Sequence, residues 1–209
     1  MVDPDQGAPP AEDRLYRSAL TVFAGLGYDN ATVEMIADTA GVDRSAVRDR
    51  GGKEALYREV LTTFSAAQEA MLDRAAAEFT RDREGVRRFL DTCIAFHLDH
   101  AQEMSVWQHR RLRDAADMGD IESLYQSPVV RRICEIAEYD VRRNPGFEAF
   151  ANFLSWAVRG FLFGGVTTVE GETLDPESPA GRRLFHDQLR WFWDVAIDAG
   201  VFDPDPAPD

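Results

Sequence analysis

The segment from Thr32 to Tyr57, TVEMIADTAGVDRSAVRDRGGKEALY, limits this chain to few folds. Val33, Ile36, Ala37 and Ala40 recur at helical spacing, so one side of that stretch is apolar. Thr32 precedes it as an N-cap. Glu34 puts negative charge in the first turn, where the helix dipole favours it. Gly41 is free to take positive φ and turn the chain sharply. Asp43 is a good N-cap for a second short helix, with Ala46 and Val47 inward and Arg44, Ser45 and Arg48 outward. Lys53 opens a third, long helix. Two short helices crossed at a glycine turn make a helix-turn-helix, and its second helix is narrow enough to enter a major groove.

The same residues carry a family resemblance. Leu15 through Phe23, Gly27-Tyr28, Thr32-Val33, Ile36-Ala37, Ala40-Gly41-Val42 and Lys53-Glu54-Ala55-Leu56 fall in order and at nearly matching spacing. Over about residues 14–60 the chain resembles the N-terminal DNA-binding domain of TetR-type transcriptional regulators. It departs from that pattern between Val42 and Lys53, where the segment is one residue shorter than usual and has no Tyr, His or Phe. Arg48 and Arg50 are the basic residues that replace them, and Gly51-Gly52 takes the place of a Phe-containing turn.

The resemblance implies an all-α fold: an N-terminal three-helix helix-turn-helix DNA-binding domain at 11–58, then a larger helical-bundle ligand-binding and dimerisation domain at 59–200. Residues 1–10 and 201–209, rich in Pro and Asp, are expected to be flexible tails. It further implies a homodimeric repressor, a two-fold double-stranded DNA operator and a small-molecule effector, with no enzymatic activity and no cofactor. Arg44, Ser45 and Arg48 are the candidates for the groove, where an arginine pairs with the O6 and N7 acceptors of guanine. Thr32, Arg50 and Lys53 are the candidates for phosphates. Lys53 is the one lysine in the chain.

Charge fits a specific reader better than a protein that coats DNA. The formal net charge is -14. Residues 11–58 hold seven basic and eight acidic side chains, so most of the acidity belongs to the C-terminal part. No stretch is apolar for long enough to span a bilayer, and MVDPDQGAPP lacks the basic start and apolar core of a signal peptide, so a cytoplasmic protein without a membrane partner is expected. Cys93 and Cys134 read as two separate thiols among apolar helical residues.

Helical periodicity continues to the end of the chain. Glu12–Leu26 predicts a helix stopped by Gly27, with Tyr28 filling the corner behind it. Residues 53–80 predict one long helix that joins the reading head to the body. Residues 84–117 are mostly helical with a break near 101–105, and Ser127-Pro128 caps a helix over 129–143 with Val130, Ile133, Ile136, Ala137 and Val141 inward. Two strongly apolar helices follow, over 147–169 and 179–199, separated by a polar turn at 171–178. Their aromatic residues lie on more than one face, which predicts a second partner surface. Phe150, Leu154, Phe161, Phe185, Leu189, Phe192 and Trp193 are the candidates for a four-helix dimer interface.

Three other constellations remain. His97, His100 and Glu103 step by three, with His109 beyond, but a polar helix face explains them without a metal. Asp114, Asp117 and Asp120 also step by three, which motivates a magnesium-dependent helical enzyme as an alternative. No GxSxG, phosphate-cradling glycine loop or HExxH supports that class. Phe89, Cys93, Phe96, His100, Met104, Trp107, Arg110, Arg111, Tyr125, Phe153 and Trp156 mix aromatic, soft and polar groups in the way that pockets between bundle helices do. The resemblance makes them the candidates for an effector site. A second alternative, motivated by the shortened segment after Val42, is a TetR-like helical dimer whose head no longer reads DNA and which binds a small molecule or a protein instead.

Overall fold

A computed structural model describes residues 11–138 and 145–202. The expectations for the two tails, and for the end of the seventh helix with Val141, lie outside the described residues.

The described chain is helical almost throughout. Its elements are α1 (Ala11–Asn30), α2 (Val33–Ala40), α3 (Arg44–Asp49), α4 (Gly52–Ala77), α5 (Arg83–Asp99), α6 (Ala101–Arg111), a π-helical turn (Glu122–Gln126), α7 (Ser127–Ala137), α8 (Pro145–Gly164) and α9 (Pro179–Asp198). One addition to the all-helical expectation follows α8. Val166 pairs with Leu174 and Thr167 with Thr173, so the predicted polar turn is a small antiparallel hairpin of β1 (Val166–Thr167) and β2 (Thr173–Leu174). The helix predicted over 147–169 accordingly ends at Gly164.

Two compact units divide the chain: Met1–Ala67 with His100–Gln126, and Gln68–Asp99 with Ser127–Asp209. The core of the first is built from Leu15, Ala19 and Phe23 of α1, Ile36 and Ala37 of α2, Val47 of α3, and Leu56, Tyr57 and Val60 of α4. Val106 of α6 and Ala115, Met118 and Ile121 of the loop after it complete that core. Tyr28 fills the corner as expected, its ring 4.8 Å from that of Tyr57 and 6.1 Å from that of Phe23.

In the second unit, α8 and α9 pack through aromatic pairs. Phe161 stacks on Phe185 at 4.1 Å, and Phe192 lies 4.3 Å from Phe153 and 5.5 Å from Phe150. Polar pairs join α5 to α9 in antiparallel order. Asp198 and Asp194 meet Arg83, Asp194 meets Arg87, Arg190 and His186 share Asp91, and Arg182 meets Asp99. Every residue of this ladder steps by four or eight along its helix, so it occupies one stripe of each. On α7 the buried position is Val129, with Ile133 and Ile136 packed beside it. Val130, expected inward, is exposed.

Candidate nucleic-acid interface

The presentation of α3 begins at Thr32. Its Oγ1 accepts a hydrogen bond from Met35 N–H at 3.2 Å, which caps α2 as the sequence predicts. Gly41 closes α2 in the left-handed region, with φ 65° and ψ 40°. Asp43 stands at the N-cap of α3 in extended conformation, but its carboxylate makes no capping bond. Val47 is fully buried and fixes the rotation of α3. Arg44, Ser45 and Arg48 are therefore exposed together. Arg44 Nη1 lies 3.1 Å from Glu34 Oε1 of α2. Arg48 takes part in no ion pair among the described residues.

The other basic candidates are engaged within the chain. Arg50 donates to both carboxylate oxygens of Glu59, Nη2 to Oε1 at 2.6 Å and Nε to Oε2 at 3.3 Å, and also meets Glu12 at 3.5 Å. The Glu59 hydrogen bond raises the pKa of the Arg50 guanidinium. Lys53 Nζ donates to the carbonyls of Tyr28 at 2.8 Å and Ala31 at 3.0 Å and sits 4.1 Å over the Tyr28 ring. Arg50 ties the end of α3 to α4 and to Glu12 near the start of α1, and Lys53 ties the start of α4 to the end of α1, contacts that sequence spacing does not reveal.

Gly27 and Asp114 position the α1–α2 corner. Gly27 breaks α1 with φ 77° and ψ 172°, a conformation essentially confined to glycine. The break frees the next two N–H groups, and Asp114 accepts from both: Tyr28 N–H to Oδ2 at 2.7 Å and Asp29 N–H to Oδ1 at 2.8 Å. Asp114 sits between Arg113 and Ala115, two non-glycine residues at φ 72° and 51°. Arg110 holds that strained loop. Nη1 donates to the carbonyls of Asp114 and Ala115, Nη2 to that of Met118 at 2.8 Å, and Nε and Nη2 to Glu122 at 2.7 and 2.9 Å. This fills the five-donor fork. The Arg110 hydrogen bond in turn draws the Glu122 carboxyl below its usual range. His109 Nε2 lies 3.0 Å from the Ala24 carbonyl and ties α6 itself to α1.

These placements redistribute the remaining sequence candidates. Asp114 caps the corner and Asp120 pairs with Arg58 at 2.9 Å, so two of the three aspartates offered for magnesium serve separate structural partners. Arg58 draws the Asp120 carboxyl down. His97 meets Cys93 O and Gln68, whereas His109 meets Ala24 O, and no group of three or more His, Cys, Asp or Glu side chains converges among the described residues.

Of the pocket candidates, Phe89, Cys93 and Phe96 come together with Met71, Leu72, Ile133 and Ile136 in one apolar cluster. Burial there pushes the Cys93 thiol up to about 12. Met104 is buried, His100 packs against Phe64, Trp107 and Tyr125 flank the first core, and Arg111 is exposed. Arg110 is the staple of its loop, and Phe153 and Trp156 face outward, 44% and 62% exposed.

Among the interface candidates, Phe150, Phe161, Phe185, Leu189 and Trp193 lie in the interior of their unit, and Leu154 and Phe192 are half-buried. The exposed apolar residues of the same two helices are Phe153, Trp156 and Phe163 on α8 and Trp191 and Val195 on α9. Both faces of each helix are aromatic, so packing alone separates these exposed residues from the interior ones.

No family model and no curated protein sequence matches the chain. Solved structures do match. A TetR-like transcriptional regulator from a Rhodococcus species superposes with a TM-score of 0.60 at 19% identity, over 93% of this chain and 98% of that one. PfmR, a TetR-family regulator from Thermus thermophilus, gives 0.55 at 19% identity, over 88% and 96%. The fatty acid degradation regulator FadR from Bacillus halodurans gives 0.54 at 16% identity, over 88% and 96%. At these identities the likeness is one of architecture, and by architecture this chain has the fold of the TetR-family transcriptional regulators.

Proposed function

We propose that the chain is a DNA-binding transcriptional regulator that acts as a homodimer on a two-fold operator and responds to a small molecule. The observation that carries this reading is the exposed triplet Arg44, Ser45 and Arg48, presented on a short helix that Val47, the capped α2 and the left-handed Gly41 turn hold in place. Those three residues face a major groove, Thr32 meets a phosphate, and Arg50 and Lys53 support the head from behind. The names of the structural neighbours agree with this role, since each is called a transcriptional regulator or a regulator of fatty acid degradation.

Dimerisation uses the outward face of α8 and α9. Phe153, Trp156 and Phe163 recur on one side of α8 and Trp191 and Val195 on one side of α9, and all five are exposed apolar side chains of the kind that a partner covers. A second copy covers them by the same residues, as a two-fold interface requires. An apolar or aromatic effector binds in the body near Phe89, Cys93 and Phe96 and acts as an inducer through α4, which is continuous across the division at Ala67–Gln68.

One set of observations favours a second reading, a head that no longer reads DNA. Arg50 and Lys53 are occupied, Arg44 is paired, and Asp38, Asp43 and Asp49 are exposed beside them. Fluorescence anisotropy separates the two. The regulator binds DNA flanking its own gene tightly, with an affinity that falls steeply with salt and is further weakened by Arg48→Ala. A well-folded dimer that binds neither this DNA nor any sequence selected from a random library would be a TetR-fold protein with another partner.

A further inference from the structure

The pair between Glu34 of α2 and Arg44 of α3 is hard to explain as a source of stability. Both side chains are largely in water, 57% exposed for Arg44 and 44% for Glu34, and such pairs contribute little to folding. It is also hard to explain as a general DNA contact, because a carboxylate on the groove-facing surface repels phosphate. Its geometry does something else. Glu34 Oε1 lies 3.1 Å from Nη1, so its charge draws one end of the guanidinium toward α2 while the remaining N–H groups are left for another acceptor. A long arginine tethered at one end loses less rotamer freedom when it docks, and its planar fork then meets the paired O6 and N7 of guanine in a fixed orientation. An untethered arginine would turn to the nearest phosphate instead, a contact that carries no sequence information.

From this geometry we infer that Glu34 is a specificity-determining residue. It holds Arg44 for a guanine edge and withholds it from the phosphates, so it lowers affinity for DNA in general while raising discrimination at one base pair. The inference rests on the DNA-binding role proposed above. It assigns to α2 a share of sequence reading that the outward residues of α3 alone do not have.

The sign of the effect makes it testable. A site selected from a random duplex library by the wild-type protein is compared with variants of that site carrying each guanine replaced in turn, and with scrambled DNA, using Glu34→Gln. The expected result is tighter binding to scrambled DNA and a roughly tenfold loss of discrimination at one guanine only. Arg44→Lys keeps the charge but not the fork, and it should lose the same discrimination without the gain on scrambled DNA. Thermal unfolding is expected to be the same for both variants and the wild type, which separates these changes from a folding defect. Wild-type discrimination retained at every guanine in Glu34→Gln would overturn the inference and leave the DNA-binding reading intact. Failure of the wild type to enrich any sequence would overturn both.

Discussion

Gly27 is the residue on which the corner between α1 and α2 turns. Its backbone angles exclude side chains, and a Cβ there would lie 2.8 Å from Asp114 Oδ1. Gly27→Ala should therefore cost about 2–3 kcal/mol, measured by urea denaturation, with strain and the displaced carboxylate both contributing. Asp114→Ala removes the acceptor for two N–H groups and should cost about 2 kcal/mol in the same assay. Lys53 is predicted to behave as a structural residue first. Its ammonium donates to two carbonyls in a part-buried site, so Lys53→Met should lower stability by about 2 kcal/mol before any effect on DNA is considered. A Lys53→Met protein as stable as the wild type would contradict that assignment. Thr32 and Gly41 were readable from sequence because capping and turning are local. Lys53 and Asp114 were not, because their partners lie 22–25 and 85–86 residues away and only the folded corner brings them together.

At the scale of elements, the ladder between α5 and α9 joins the two helices by a row of arginine–carboxylate pairs and one histidine–carboxylate hydrogen bond. Each exposed pair contributes little alone, and salt screens it. Carboxylates in these and similar pairs have folded-state pKa values below their unfolded values: Asp194 through its hydrogen bond to Arg87, Asp120 through Arg58, and Glu122 through Arg110. Their stabilisation is fully present above the unfolded pKa values, near pH 4, and is lost as pH falls through the lower folded ones. Urea midpoints should hardly change between pH 7 and 5 and fall steeply below about pH 4. A stability that rises on acidification would contradict this assignment of the pairs.

Helix positions were legible because apolar residues at helical spacing mark them. The inward faces of α8 and α9 were not, since Phe150 and Phe153 or Phe192 and Trp191 are equally apolar and only packing separates them. The α5–α9 ladder had a signal that went unused: Arg182, His186, Arg190, Asp194 and Asp198 step by four along α9.

For the molecule as a whole, the proposed function requires two protomers. Trp156 and Trp191 are 62% and 70% exposed, and Gly160 lies near Trp156 on α8 with open space where its Cβ would be. Trp156→Glu combined with Trp191→Glu should convert a dimer to a monomer of unchanged helix content in sedimentation velocity, because two charges cannot be buried against their own copies. The fold of the N-terminal helices was legible because their pattern follows a known one in order and at nearly matching spacing, apart from the shortened segment between Val42 and Lys53. Their completion by Val106 and Ile121 was not, because α6 carries no sign in sequence that it belongs with residues so far before it in the chain. The proposed function is that of a dimeric reader of a two-fold DNA site. The most direct test is selection from a random duplex library, followed by sedimentation of the protein on the enriched sequence. The expected result is an inverted repeat with half-sites about one helical turn apart, or a small multiple of it, bound by an even number of protomers and released by salt. Failure to enrich any sequence, or enrichment of an asymmetric site held by one protomer, would contradict it.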